Sequence, residues 1–164
     1  EKIGVANTLI KPVSYSTLFD TIMQSFGKKE VRKKSRTDVH VLSDDLLAKL
    51  KGAKVLLVED NEINQDVATG MLEAVGITAE IANNGKIAVE MVKASGNPSK
   101  YELIIMDLQM PEMDGYEASR QINKLEDFKH IPIFAMTADA VTGVKENCFK
   151  AGMIDFVSKL RISA

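Results

Sequence analysis

Five polar side chains of three chemical kinds follow four short apolar runs in this sequence. Glu59 and Asp60 follow Val55-Leu56-Leu57-Val58, and Asp107 follows Leu103-Ile104-Ile105-Met106. Thr137 follows the run 131–136, and Lys159 follows Ile154-Asp155-Phe156-Val157-Ser158. Ionised carboxylates gathered in one place repel one another, by roughly 4 kcal/mol per pair at about 4 Å and an effective dielectric near 20. A hard divalent cation offsets that repulsion, and Mg²⁺ suits a site of few carboxylates, a carbonyl and several waters. A cation alone has no need of Thr137 and Lys159, but a phosphoryl group has. Metal, ammonium and hydroxyl each neutralise one of its oxygens, and phosphoryl transfer is catalysed by such placement and neutralisation. In that arrangement Asp107 is the in-line nucleophile and carries the phosphoryl group as an acyl phosphate.

The elements that must position these groups can be read from the apolar pattern. The runs are short, continuous and apolar, as in strands buried on both faces of a parallel sheet. From Lys54 onward strands and helices alternate. Strands are expected at 54–58, 77–81, 103–107, 131–136 and 153–157. Helices are expected over about 62–75, 84–94, after Asp114 and over 141–150. Asn61 reads as a cap, and Ile63, Val67, Met71, Leu72 and Val75 as the apolar face of the first helix. The later helices bury Ile87, Ala88, Met91 and Val92, then Ala118, Ile122 and Leu125, then Val141, Val144, Cys148 and Phe149. Strict alternation gives an α/β fold, a doubly wound parallel sheet with right-handed crossovers. In such sheets ligands sit beyond the carboxyl ends of the strands, which is where the five groups fall. Asp107 alone would pass for a turn or cap residue; complementary groups at four strand ends would not.

With 164 residues, 45% of them hydrophobic, the chain can build one ordinary core but not two full domains. A net charge of −2 gives no case for a nucleic-acid partner. The single cysteine, Cys148, excludes an internal disulfide framework and suits a reducing compartment, so a cytoplasmic location is expected. No apolar run reaches the roughly 18–20 residues of a membrane span, so no direct membrane contact is expected. His40 and His130 have no catalytic company, and neither a phosphodonor histidine nor a nucleotide-binding loop is visible. The chain is therefore not itself read as a kinase.

Residues 1–27 read as the end of another domain, a strand near Asn7–Ile10 closed by Lys11-Pro12 and an amphipathic helix over 14–26. That helix carries Leu18, Phe19, Ile22, Met23 and Phe26 on one side. Residues 28–53 read as a basic linker, a solvated tether, followed by a short helix. The unit of interest is 54–164. Only five residues follow Lys159, too few for a fifth helix, which would leave one sheet face bare. Helix 14–26 is expected to fill that place, within the chain or in a swapped dimer.

The segments VLLVEDN at 55–61, IIMDLQMPEMDG at 104–115, FAMTADA at 134–140 and AGMIDFVSK at 151–159 resemble the receiver domains of two-component response regulators. The wording is similar to receivers attached to hybrid sensor histidine kinases. The resemblance covers about 54–159 and implies a flavodoxin-like fold with five strands in the order 2-1-3-4-5. It implies that Asp107 accepts a phosphoryl group from phosphohistidine, on a histidine kinase core or a histidine phosphotransfer domain. Asp60, Asp107 and the backbone carbonyl of Gln109 would bind Mg²⁺ directly, and Glu59 through water. Thr137 and Lys159 would hold phosphoryl oxygens, and Phe156 would change rotamer as Thr137 moves; by itself Phe156 reads equally well as a core aromatic. The family usually follows its lysine with proline, where this chain has Leu160. Leu9-Ile10-Lys11-Pro12 and the helix behind it look like the end of a first receiver, which makes the chain a piece of a tandem-receiver protein. The competing class is a receiver-like interaction module that takes no phosphate, regulating an attached kinase; loss of Asp107, Asp60 or Lys159 would be its sign, and all three are present. An aspartyl phosphatase would need a second acid where Gln109 stands. A flavin protein would need a phosphate loop in place of Asp60-Asn61-Glu62.

Overall fold

The computed structural model describes residues 51–137 and 143–158, the last four as backbone. Nine elements alternate: β1 (Lys54–Val58), α1 (Glu62–Glu73), β2 (Thr78–Ala82), α2 (Gly85–Lys93), β3 (Leu103–Asp107), α3 (Gly115–Asn123), β4 (Ile133–Thr137), α4 (Val144–Lys150) and β5 (Asp155–Ser158). The strands form one sheet in the order β2-β1-β3-β4-β5, and every neighbouring pair is parallel. The expected fold class and strand order are met. Strand 7–10, helix 14–26, the linker and the short helix before residue 51 lie outside the described residues.

All five residues of β3 and of β4 are buried, so the continuous apolar runs reflect strands covered on both sides. One core joins Leu56, Val58, Ile104, Met106, Ile133 and Ala135 to Ala88 and Val92 of α2, Ala118 and Ile122 of α3, and Cys148 of α4. The other joins Val55, Leu57, Leu103, Ile105, Phe134 and Met136 to Ala68 and Leu72 of α1. Phe134 and Met136 are only 3% and 7% exposed, so this second face is not bare at β4. Cys148 is buried as expected, and burial pushes its thiol above its usual range.

One expected helix face is rotated, and a second departs at a single residue. On α1 the buried residues are Gln65, Ala68 and Leu72, while Ile63 is 62% exposed. On α2 Ala88 and Val92 are buried and Met91 packs on the core as expected, Val89 is buried as well, and Ile87 is exposed. Both helices open on an asparagine N-cap. Asn61 accepts from the Asn64 amide and Asn84 from the Ile87 amide. Phe149, expected inward on α4, is likewise exposed, with Lys145 over its ring. Helix and strand limits otherwise shift by a few residues at most; 141 and 142 are not described.

At the edge of the sheet, the Tyr101 hydroxyl donates to Glu80 Oε2 at 2.6 Å, and Lys100 Nζ lies 2.8 Å from the same oxygen. This pin ties β2 to the segment leading into β3. The Lys100 and Tyr101 donors hold the Glu80 carboxyl below its ordinary range. Because the folded pKa is depressed, the stabilisation is present above the unfolded value, near 4.5, and is lost as pH falls through the folded one. A charged hydrogen bond contributes about 1.5–3 kcal/mol when buried, and partial exposure brings this pin nearer to about 1 kcal/mol. We expect Glu80→Gln to lower stability by about that amount at pH 7, with the difference from wild type vanishing in acid; denaturant melts across pH check it.

Candidate functional site

The carboxyl ends of β1, β3 and β4 bring the sequence-derived groups to one edge. β1 runs level with β3, Val58 beside Met106, so Glu59 and Asp60 emerge next to Asp107. Glu59 and Asp107 are buried, 0% and 2% exposed, and Asp60 is exposed. One carboxylate oxygen from each of the three lies within 4.8 Å of the others. Asp107 is paired with Met136, and Thr137, 7% exposed, is the next residue along β4. Thr137 in turn pairs with Ser158, the last described residue of β5. Lys159 lies outside the described residues, and Phe156 is described only through the backbone of β5.

Local structure explains how the acids are held. Glu59 Oε1 accepts from Asn64 Nδ2 at 3.0 Å and from the Asn61 amide at 3.2 Å. The carbonyl of Glu59 accepts from Gln65 Nε2 at 2.7 Å. Asp107 Oδ1 accepts from the Gln109 amide at 3.1 Å, a turn that folds the chain back over the strand end. That loop returns so closely that a Cβ on Gly115 would meet the Asp107 carbonyl oxygen at 2.1 Å. Glycine is required there by space, and Asp114 then caps α3 by accepting from the Glu117 amide. Asn64 and Gln65 were not singled out by the sequence reading. The available signal was polar: Gln65 shares a helix face with Ala68 and Leu72, where an amide needs a reason to be.

The donor set fits a hard divalent cation. Three carboxylates this close repel by roughly 3 kcal/mol per pair at an effective dielectric near 20, less for the exposed Asp60. Oxygen-only ligands suit Mg²⁺ or Ca²⁺ rather than softer metals. His130 is exposed and stands apart from the site residues in sequence and fold; His40 is outside the described residues.

The comparisons with known proteins agree with this architecture. The model of the response regulator receiver domain family matches residues 55–161. The chain belongs to that family. Probable histidine kinase 4 of Oryza sativa subsp. japonica is 35% identical over 185 residues, covering 97% of this chain and 18% of that protein. The chain thus spans less than a fifth of that curated relative. The receiver domain of a sensor histidine kinase from Pseudomonas aeruginosa, with a magnesium ion coordinated in the active site cleft, is 41% identical with a TM-score of 0.58, over 66% of this chain and 85% of that one. A co-crystal of a Saccharomyces cerevisiae histidine phosphotransfer signaling protein and the receiver domain of its downstream response regulator holds a chain 32% identical with a TM-score of 0.60, over 66% and 79%. Among the described residues no helix is long and apolar enough to cross a membrane.

Because the three carboxylates repel one another, removing one charge should stabilise the chain held in chelator. Asp60→Asn is expected to raise stability in EDTA by about 1 kcal/mol, the discounted share of an exposed charge. It should also abolish most of the rise in melting temperature that Mg²⁺ gives the unaltered chain. Thermal unfolding with and without Mg²⁺ reads both effects.

Proposed function

We propose that this chain is a phosphoacceptor receiver in a two-component phosphorelay, and that Asp107 carries the phosphoryl group. The observation that supports it best is a buried aspartate at the end of the central strand β3, with the carboxylates of Glu59 and Asp60 within 4.8 Å. A carboxylate oxygen of Asp107 attacks phosphorus in line with the P–N bond of a phosphohistidine. The new O–P bond forms as the P–N pair returns to the imidazole, which takes a proton from water. Asp60, Asp107, Glu59 and the carbonyl of Gln109 would hold Mg²⁺, which when bound neutralises charge on the transferring oxygens. The Gln109 amide orients Asp107 through its hydrogen bond to Oδ1. Thr137 and Lys159 hold phosphoryl oxygens from the β4 and β5 ends, and Thr137 with Phe156 forms the switch that reports phosphorylation.

The donor is a histidine kinase core or a histidine phosphotransfer domain, and the parent is a hybrid histidine kinase with tandem receivers. Residues 1–27 then belong to the upstream receiver, 28–53 to the linker and 54–164 to this receiver, with helix 14–26 covering the second sheet face in one chain or across a swapped dimer. The interaction-module reading has no observation in its favour, because Asp60 and Asp107 are both retained at the site.

Incubation with Mg²⁺ and acetyl phosphate should add one phosphoryl group to the wild type, seen by intact mass, and none to Asp107→Ala; equal labelling of both would refute the assignment. Ile63, 62% exposed in the first turn of α1, offers an apolar anchor beside the acids for a protein donor. Losing such an anchor costs upward of about 1 kcal/mol, roughly a fivefold change. Ile63→Asp should therefore slow transfer from a phosphorylated phosphotransfer domain by at least about that factor, and more than it slows labelling by acetyl phosphate.

A further inference from the structure

We infer that Gln65 is a positioning residue for the cation site, fixing the turn from which Asp60 projects. The inference rests on the reading of Glu59, Asp60 and Asp107 as a Mg²⁺ site and adds a residue that no carboxylate pattern reveals. Gln65 is 9% exposed and lies on the inward face of α1 with Ala68 and Leu72. An amide buried there is costly unless both its N–H groups are used. Both are: Nε2 donates to the Glu59 carbonyl at 2.7 Å and to Asn83 Oδ1 at 3.0 Å.

The first acceptor is the carbonyl of the peptide that joins Glu59 to Asp60, so holding it sets the direction in which Asp60 leaves β1. The second acceptor belongs to the β2–α2 loop. The neighbouring Asn84 continues the path, donating Nδ2 to Glu112 Oε1 at 3.3 Å, while the Gly85 amide donates to the Met113 carbonyl at 3.2 Å. Glu112 and Met113 lie in the loop that also contains Gln109, and Glu112 adopts a φ of 65° there. Gly85 admits this contact because a Cβ would meet the Met113 oxygen at 2.6 Å. A file of side-chain amides thus runs across the carboxyl edge and ties the loop bearing Asp60 to the loop following Asp107. Gln65 is its first member and the one that touches the backbone of an acid.

Mg²⁺ demands near-octahedral placement of its oxygens, whereas Ca²⁺ accepts irregular shells. A turn released from Gln65 therefore loses Mg²⁺ preferentially, a signature that loss of packing would not give. The test is calorimetric titration of the chain with Mg²⁺ and with Ca²⁺, alongside melting temperatures in EDTA. Gln65→Met keeps length and removes the donor; it should weaken Mg²⁺ about tenfold or more and Ca²⁺ less than about threefold. Asn83→Ala, at an exposed position, removes only the second acceptor and should weaken Mg²⁺ by a smaller factor, about threefold. Unchanged Mg²⁺ affinity in Gln65→Met, or equal losses for both ions, overturns the inference. Where Gln65→Met does not fold, Asn83→Ala decides, and wild-type Mg²⁺ affinity in that variant overturns it. A wild-type chain that binds no Mg²⁺ would sink the cation reading itself, whereas normal wild-type binding with unaltered variants sinks this inference alone.

Discussion

Like charges held close together are the constraint on which the rest of this structure depends. Three acid side chains meet at one end of a sheet, two of them shielded from water. Left to solvent, they would drift apart at the expense of any neighbouring turn. Their convergence is imposed by strands whose residues are buried on both sides and therefore cannot slip or tilt without exposing core. Rigidity at β1, β3 and β4 is thus what makes an electrostatically unfavourable cluster persist, and the same crowding makes the cluster receptive to a cation or a developing positive partner.

Short loops complete the work. Amide side chains of Asn64 and Gln65 hold the β1–α1 turn. Gly115 lets the β3–α3 loop turn back against the backbone of Asp107, with no room for a larger residue. Helix caps at Asn61, Asn84 and Asp114 start three helices at this same edge. The amino ends of those helices therefore lie at the carboxyl edge of the sheet, the edge that also carries the three acids. The polypeptide here is organised by its caps and turns as much as by its apolar content.

Much of this was legible in the residues. Continuous apolar runs such as Leu103–Met106 fit strands of a covered parallel sheet, and acids stand at the ends of two of them. The facing of the helices was not legible in the same way. Ile63 and Ile87 belong to apolar stripes yet are exposed, because spacing alone does not fix which residues of a stripe meet the sheet. Gln65 is hidden in the sequence for a complementary reason: its amide donates to a backbone carbonyl, and nothing in a linear pattern marks which carbonyl will need a partner. Pairings across loops, such as Asn84 with Glu112, depend on three-dimensional closeness between segments 28 residues apart.

Among the described residues β2 is the outermost strand on one side of the sheet, which has a consequence of another kind. A strand with one unpaired side is a template on which a foreign strand can grow, and sheets exposed this way tend to polymerise. Here the strand is only five residues long, and its middle residue is Glu80, whose carboxylate is engaged by Lys100 and Tyr101. An incoming strand would have to strip that carboxylate of its counter-charge or accept it against its own surface. The contact that fastens β2 to its own sheet thereby also sets a paired charge on a short edge strand, one of the devices by which such edges discourage strand addition.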